Sequence, residues 1–418
     1  MSLSQLRLIV AALFMCACDA PRVMPETSGV SAEPGPCGRG LVVVESDYQS
    51  SNVSLLGFDG RVLSPSLASS SIESSGFGVA LSGDATPPTS PDHGPHITLI
   101  DRYPAGVLRF VELATARVSA ELSVATGFES NPHDYLALSE QHAYVARYRA
   151  NPNPGREPFD QGADILVVDP SVPSIVGRID LAAALDGESA RFSAHPGRLL
   201  RVGERVFALL AAYADDTFTA SVSSRLVELD PSTDTLLTTL VLEGLHGCDS
   251  FALSPDELEL AVACTGDDWN GRPARLDGSG LALIDITSRP RLSKVVAAAD
   301  VGSNALGFSL DYSAKNALFF GTLGYVQESG VVGAQDELLR LDTATGRVTT
   351  VLRSESEPFT LGSVRCAPRC GACFAADAKR AGGSVLRFPI DDAGVLAAPS
   401  VIRVETQIGL PPRYLGAF

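Results

Sequence analysis

The stretch SRLVELDPSTDTLLTTLVL, Ser224 to Leu242, decides the fold. Apolar residues alternate on both sides of an Asp-Pro-Ser-Thr turn, which predicts two short antiparallel strands joined by a tight connection. The pattern recurs six more times: NVSLLGFDGRVLSPSL from Asn52, GVLRFVELATARVSAELSV from Gly106, ADILVVDPSVPSIVGRIDL from Ala163, GLALIDITSRPRLSKVVAA from Gly280, DELLRLDTATGRVTTVLR from Asp336 and GSVLRFPIDDAGVLAAPSV from Gly383. The turn carboxylates Asp59, Glu112, Asp169, Asp230, Asp285, Asp342 and Asp391 follow one another at roughly 50 to 60 residues, the length of one four-stranded blade with its loops. Their chemistry fits Asx-turn acceptors.

A second set of hairpins lies between these outer ones: DYLALSEQHAYVARY from Asp134, RLLRVGERVFALLAAY from Arg198, SFALSPDELELAVACTG from Ser250, GFSLDYSAKNALFFGTLG from Gly307 and TLGSVRCAPRCGACFAAD from Thr360. A looser version, GFGVALSG from Gly76 followed by HITLIDR from His96, belongs to the second blade. Each inner pair with its following outer hairpin makes one blade. The first blade has GLVVVESDY from Gly40 but lacks an innermost strand, and LPPRYLGAF, Leu410 to Phe418, resembles NPHDYLALS at Asn131. The reading is therefore all-β: a seven-bladed β-propeller whose C-terminal strand closes the first blade and removes two open sheet edges.

The 418 residues are too many for one ordinary core, yet no composition shift marks a second globular unit. A ring of sheets resolves this, since each blade packs only on its neighbours. A formal charge of −17 without clustered Lys or Arg argues against a nucleic-acid partner.

MSLSQLRLIVAALFMCACDA opens the chain with one Arg, an apolar run from Leu8 to Phe14, then small residues and cysteines. The run is too short to span a bilayer and has the shape of a secretory signal. Met15-Cys16-Ala17-Cys18 resembles the lipobox of bacterial lipoproteins, with Ala17 before the acylated Cys18 and Met15 where Leu is commonest. The expected organisation is a signal peptide over residues 1–17, a lipidated Cys18 with a Pro/Ser/Gly/Glu-rich tether over 18–36, and the propeller over 37–418. The plainer alternative is an ordinary cleaved signal peptide. The resemblance implies a cell-envelope protein, lipid-anchored on the periplasmic or outer surface.

Six cysteines remain beyond the leader, and an even number in an exported chain favours disulfides. Cys248 and Cys264 flank a hairpin whose turn is at Pro255-Asp256 and are expected to face each other. In CAPRCGAC, Cys366 and Cys373 lie on opposite sides of a short turn, leaving Cys370 for Cys37. The competing reading is a metal knuckle with Cys37 as fourth ligand.

The inner motif with SPDE and the outer LVVDP motif resemble the YVTN-type, YncE-like seven-bladed propellers of secreted bacterial proteins, over almost all of Gly40 to Phe418. That resemblance implies a fold and an extracytoplasmic setting, and selects no activity.

Long insertions fall between inner and outer hairpins, from Arg149, Ala214, Gly266 and Gly324, and emerge on the face where each innermost strand begins; DATPPTSPDHGP from Asp84 is placed on the opposite face. Variable loops on a rigid scaffold are where sites reside. His133, His195 and His246 stand near the starts of three innermost strands, with Asp134 and Asp249 aligned to one another on the same rim. The sharper reading is a divalent-metal site at the channel mouth; the plainer one is a duplicated loop cap. Asp267, Asp268, Asn270 and Asp277 offer oxygen ligands for calcium or simply form a solvated turn, and Trp269 would contact a sugar or peptide or tuck against a neighbouring loop.

The chain carries no GxSxG, HExxH, glycine-rich phosphate loop or CxxCH, so no catalytic residue is assigned. The leading expectation is a monomeric, membrane-tethered binding or scaffolding module that engages a protein, peptide or glycan through its long-loop face. The alternative is an extracytoplasmic propeller enzyme, a lactonase or quinoprotein-like dehydrogenase, with a metal at the channel mouth.

Overall fold

A computed structural model describes residues 34–418 apart from 72–77, 79, 92–93, 216–219, 268–275, 328, 356 and 380–381. Seven four-stranded antiparallel sheets form a β-propeller whose strands pair in chain order, with a small two-stranded hairpin, Tyr325–Val326 with Val332–Ala334, inserted in blade six. Blade one is the exception. Leu41–Ser46, Ser51–Leu56 and Val62–Ser69 supply three of its strands, and the innermost is Pro412–Ala417, paired in the register Leu41↔Ala417 to Val44↔Tyr414. The remaining innermost strands are Ala85–Thr86, Pro132–Ser139, Pro196–Val202, Cys248–Leu253, Ala305–Ala314 and Leu361–Ala367, in blades two to seven.

The second strand of each blade is buried on both faces, as Val42 and Val43 or Leu318 and Phe319 show, whereas the outermost strand alternates with solvent. Apolar clusters therefore run between adjacent blades: Leu136, Tyr144 and Ile165 of blade three meet Leu199, Val206 and Val227 of blade four. The outer turns are built as their residue types dictate. Asp169, Asp230 and Asp285 each accept from the backbone amide two residues on, at Ser171, Ser232 and Thr287. Glu112, one methylene longer, takes the Thr115 hydroxyl instead.

All three cysteine pairs are disulfides: Cys37–Cys370, Cys248–Cys264 and Cys366–Cys373. The last two join directly opposed residues of inner hairpins. Cys37–Cys370 links positions 333 residues apart and ties the entry to blade one onto blade seven, beside the closing strand. Cross-links over long loops stabilise by about 2–4 kcal/mol, and this one acts where strand pairing alone holds the ring.

Blade two departs from expectation. Its innermost strand is the short Ala85–Thr86, paired with Asp101 and Ile100, so the Asp84 segment lines the channel rather than forming an insertion on the far face. Thr86-Pro87-Pro88 explains the brevity, because proline cannot donate to a ladder.

One buried carboxyl in blade one sets a pH response. Glu45 is 2% exposed, and its oxygens accept from Asn52 Nδ2 at 2.6 Å and Ser54 Oγ at 2.9 Å. Burial, opposed by those bonds and aided by the charge of Glu405, pushes it up to about 8 from 4.5. Between those values the folded chain holds a proton that the unfolded chain has released, so stability falls as pH rises through this window. Glu45→Gln is expected to flatten that slope in denaturant titrations between pH 5 and 8.5; an unchanged slope would show that Glu45 does not titrate with folding.

Candidate functional site

Each innermost strand except that of blade two breaks register near its start. The breaks fall between Pro412 and Tyr414, Pro132 and Asp134, Pro196 and Arg198, Cys248 and Ser250, Leu306 and Leu310, and Leu361 and Val364. A bulge leaves a residue out of the ladder and re-aims it. The residues so released are Arg413, His133, Gly197, Asp249, Gly307-Phe308-Ser309 and Gly362-Ser363. All but Gly197 line one cavity of about 590 Å³ at the mouth of the central channel. It opens on the face of the long loops.

Gly197 explains how blades three and five meet across blade four. A Cβ there would stand 2.1 Å from Asp249 Oδ1. Without it, Asp249 Oδ1 approaches His133 Nδ1 to 3.8 Å, too far for a hydrogen bond. The His133 ring stacks on Tyr148 with centroids 4.0 Å apart. Below them Arg198 donates from Nε to the Asp249 carbonyl at 3.1 Å and from Nη1 to the His133 carbonyl at 3.3 Å. Burial holds the His133 imidazole below its usual range, and the adjacent Asp249 does not reverse this. For Asp249 burial is outweighed by His133 and the Arg198 charge, so it stays below the carboxylate range. The pair at neutral pH is a neutral imidazole beside a carboxylate. Tyr148 and Tyr213, pushed up by burial, keep their protons.

The remaining sequence-selected residues are dispersed. Asp134 is not the counterpart of Asp249: the bulge makes His133 the equivalent position. Asp134 is fully buried and accepts the amides of Thr89, Tyr135 and Leu199 at 2.8, 3.0 and 2.8 Å, stapling blades two, three and four. His195, also fully buried, has Nε2 3.0 Å from Asp215 Oδ1. His246 has Nδ1 3.2 Å from Asp267 Oδ1 and 3.1 Å from Ser221 Oγ. Each imidazole thus faces its own carboxylate, and the three do not converge on one point. Among the described residues no group of three or more His, Cys, Asp or Glu could hold a metal ion. The six cysteines are occupied as disulfides, which removes the knuckle. Cys18, Asp268 and Trp269 lie outside the described residues.

Sequence reasoning missed the cavity's arginines, Arg102, Arg149, Arg198, Arg365 and Arg413, and its exposed rim aromatics Tyr48, Phe308 and Phe359. Alignment of LPPRYLGAF with NPHDYLALS contained the signal for Arg413, which stands beside the His133 position.

No family model matches the sequence, and no curated protein matches it. Solved structures do. A protein from Lactobacillus plantarum superposes with a TM-score of 0.57 at 10% identity, over 90% of this chain and 98% of that one. A candidate 6-phosphogluconolactonase from Bacteroides fragilis gives 0.56 at 11%, over 92% and 99%. The periplasmic gluconolactonase of Pseudomonas aeruginosa gives 0.54 at 14%, over 90% and 98%. This likeness shows the fold.

The His133–Asp249 contact has a direct test. Asp249 favours the charged imidazole, so Asp249→Asn is expected to move the His133 midpoint, followed by its ring proton resonances, further below the usual value. Gly197→Ala should act in the same direction by displacing the carboxylate. A midpoint that rises in either variant, or stays put in both, would mean that the pair is not formed in solution.

Proposed function

We propose that this protein is an extracytoplasmic propeller lipoprotein of the YncE-like type, held at the membrane through Cys18, that binds a ligand at the mouth of its central channel. The observation that carries the binding reading is the cavity: about 590 Å³, open, and walled by side chains from every blade, the size and mixed polarity of a small-molecule site. Its rim aromatics are exposed, Tyr48 at 60%, Phe359 at 43% and Phe308 at 42%, and offer apolar faces for a ligand or the end of a peptide or glycan. Three disulfides support an oxidising compartment.

A second reading, hydrolysis of a lactone or related ester, is favoured by the His133–Asp249 pair. A neutral imidazole, stacked on Tyr148 with a carboxylate 3.8 Å away, has the protonation state of a general base, and two of the structural neighbours are described as lactonases. In that case His133→Ala abolishes turnover while leaving ligand affinity within a few fold; in the binding reading there is no turnover to lose.

Two measurements check the leading reading. Cys18→Ser is expected to shift the protein from the membrane to the soluble fraction, and unchanged fractionation would remove the anchor. In a thermal-shift screen of small acids, sugars and peptides, compounds that raise the midpoint should lose at least about tenfold in affinity with Phe308→Ala. Insensitivity of every hit to that substitution would place binding elsewhere.

A further inference from the structure

The cavity is charged against the sign of the whole chain. The protein carries −17, yet five arginines and two aspartates line the channel mouth. Two of the five are committed to partners: Arg102 bonds Asp84 and the Tyr414 hydroxyl, and Arg149 bonds Glu129. The other three are held differently. Arg198 is fixed by the carbonyls of Asp249 and His133, Arg365 by those of Leu415 at 3.3 Å and Thr89 at 2.6 Å, and Arg413 by those of Ser46 at 3.1 Å and Phe359 at 3.4 Å.

A carbonyl positions a guanidinium without neutralising it. Among the described residues none of the three has a carboxylate partner, and one amino group of each, Nη2 in Arg198 and Arg413 and Nη1 in Arg365, has no protein partner and is not sealed from the cavity. Of the nearby acids Asp249 keeps its charge beside Arg198; the other two are engaged elsewhere. Asp134 is taken by three backbone amides, and Asp311 by those of Tyr312 and Cys366, both at 2.8 Å. Burial also pushes both carboxyls up, which weakens the negative field they present. Arg365 is pulled below its usual range by burial, which the opposing charges of Asp311 and Asp134 do not reverse; the like charge of Arg198 adds to the pull, so the two guanidinia feel one another across the mouth. A pre-positioned pair of guanidinia with spare donors and mutual repulsion is stabilised by an oxyanion between them, which Arg recognises through paired N–H donors.

We propose that the channel mouth is an oxyanion site: Arg198 and Arg365, flanked by Arg413, take the carboxylate or phosphate group of a small ring-bearing acid whose body lies against Tyr48, Phe308 and Phe359. The inference rests on the binding reading above and deepens it by naming the ligand's charge. Arg413 already stacks on Tyr48, with its guanidinium 4.6 Å from the ring centroid, so the charged and apolar parts of the site adjoin. The volume of about 590 Å³ matches one small acid.

The test titrates the mature chain with benzoate, phenyl phosphate and glucuronate, each against a neutral counterpart, benzamide, phenol or glucose, and with inorganic phosphate. At least one acid is expected to bind tenfold or more tightly than its neutral counterpart. Benzoate against phenyl phosphate separates the two oxyanion sources. Arg365→Gln should remove that discrimination, and Arg291→Gln, on an outer turn where Arg291 pairs with Asp285 away from the cavity, should leave it within about twofold. Because Arg198 also braces two carbonyls, Arg198→Lys, which keeps the charge, is compared with Arg198→Gln at matched thermal midpoints; the lysine variant should keep more of the preference. Binding by none of the acids, or acids and neutral counterparts binding alike in wild type and Arg365→Gln, overturns the oxyanion site. If neutral compounds then still bind and Phe308→Ala weakens them, the channel-mouth reading survives that failure; if no bound compound responds to Phe308→Ala, both fall.

Discussion

The pairing of Leu41–Ser46 with Pro412–Ala417 is the contact on which the rest of the molecule depends. It supplies the fourth strand of blade one from the far end of the chain and so joins both ends in one sheet. The closure is made at main-chain level beyond the strand itself: Phe418 accepts from Arg39 at 2.7 Å and donates to Gly40 at 3.1 Å. Gly40 has to be glycine, since a Cβ would stand 2.5 Å from the Leu56 carbonyl. The same strand delivers Arg413 and Tyr414 to the channel mouth and brings Tyr414 to Arg102 of blade two. Closing the ring and completing the cavity wall are one event, so the site cannot be assembled before the fold is complete.

Above that scaffold the division of labour is positional. Strand cores carry Val, Leu, Ile, Ala and Phe and specify packing between blades, while a bulge at nearly the same depth in six of seven innermost strands releases residues of differing chemistry. Arginine, histidine, glycine, aspartate, a Gly-Phe-Ser run and a Gly-Ser pair occupy these positions around the ring. Side-chain variety is concentrated where the ladder is already interrupted, which separates what the cavity recognises from what the blades need to stack.

This separation also accounts for what was legible beforehand. Outer hairpins announce themselves through alternation and an Asp acceptor at the turn, closure through the likeness of LPPRYLGAF to NPHDYLALS, and two of the disulfides through residues opposed across short turns, which leaves Cys37 for Cys370. All of these are read from short stretches of sequence and their spacing. A bulge is not, because one extra residue flips side chains to the other face. That single-residue offset is why Asp134, beside His133 in sequence, is a buried staple while Asp249 points into the channel. It is also why three histidines at similar alignment positions each end on a separate carboxylate. The arginines were missed for a different reason: they come from blades one, two, three, four and seven, and no stretch of sequence contains more than one of them as a cluster.

The two kinds of charge at the mouth are arranged rather than mixed. Asp249 stands over Arg198 and toward His133, on the side of blades three to five, while Arg365 and Arg413 belong to blades seven and one, where no acidic side chain lines the cavity. With His133 neutral, Asp249 keeps an acceptor directed at the channel, so an oxyanion is repelled at Asp249 and attracted by the guanidinia of Arg198, Arg365 and Arg413. Such a field orients a ligand before any close contact forms. It also gives the His133–Asp249 pair a role in recognition that needs no chemistry: a hydrogen-bond donor on the ligand is favoured at one end, and an acidic group at the other.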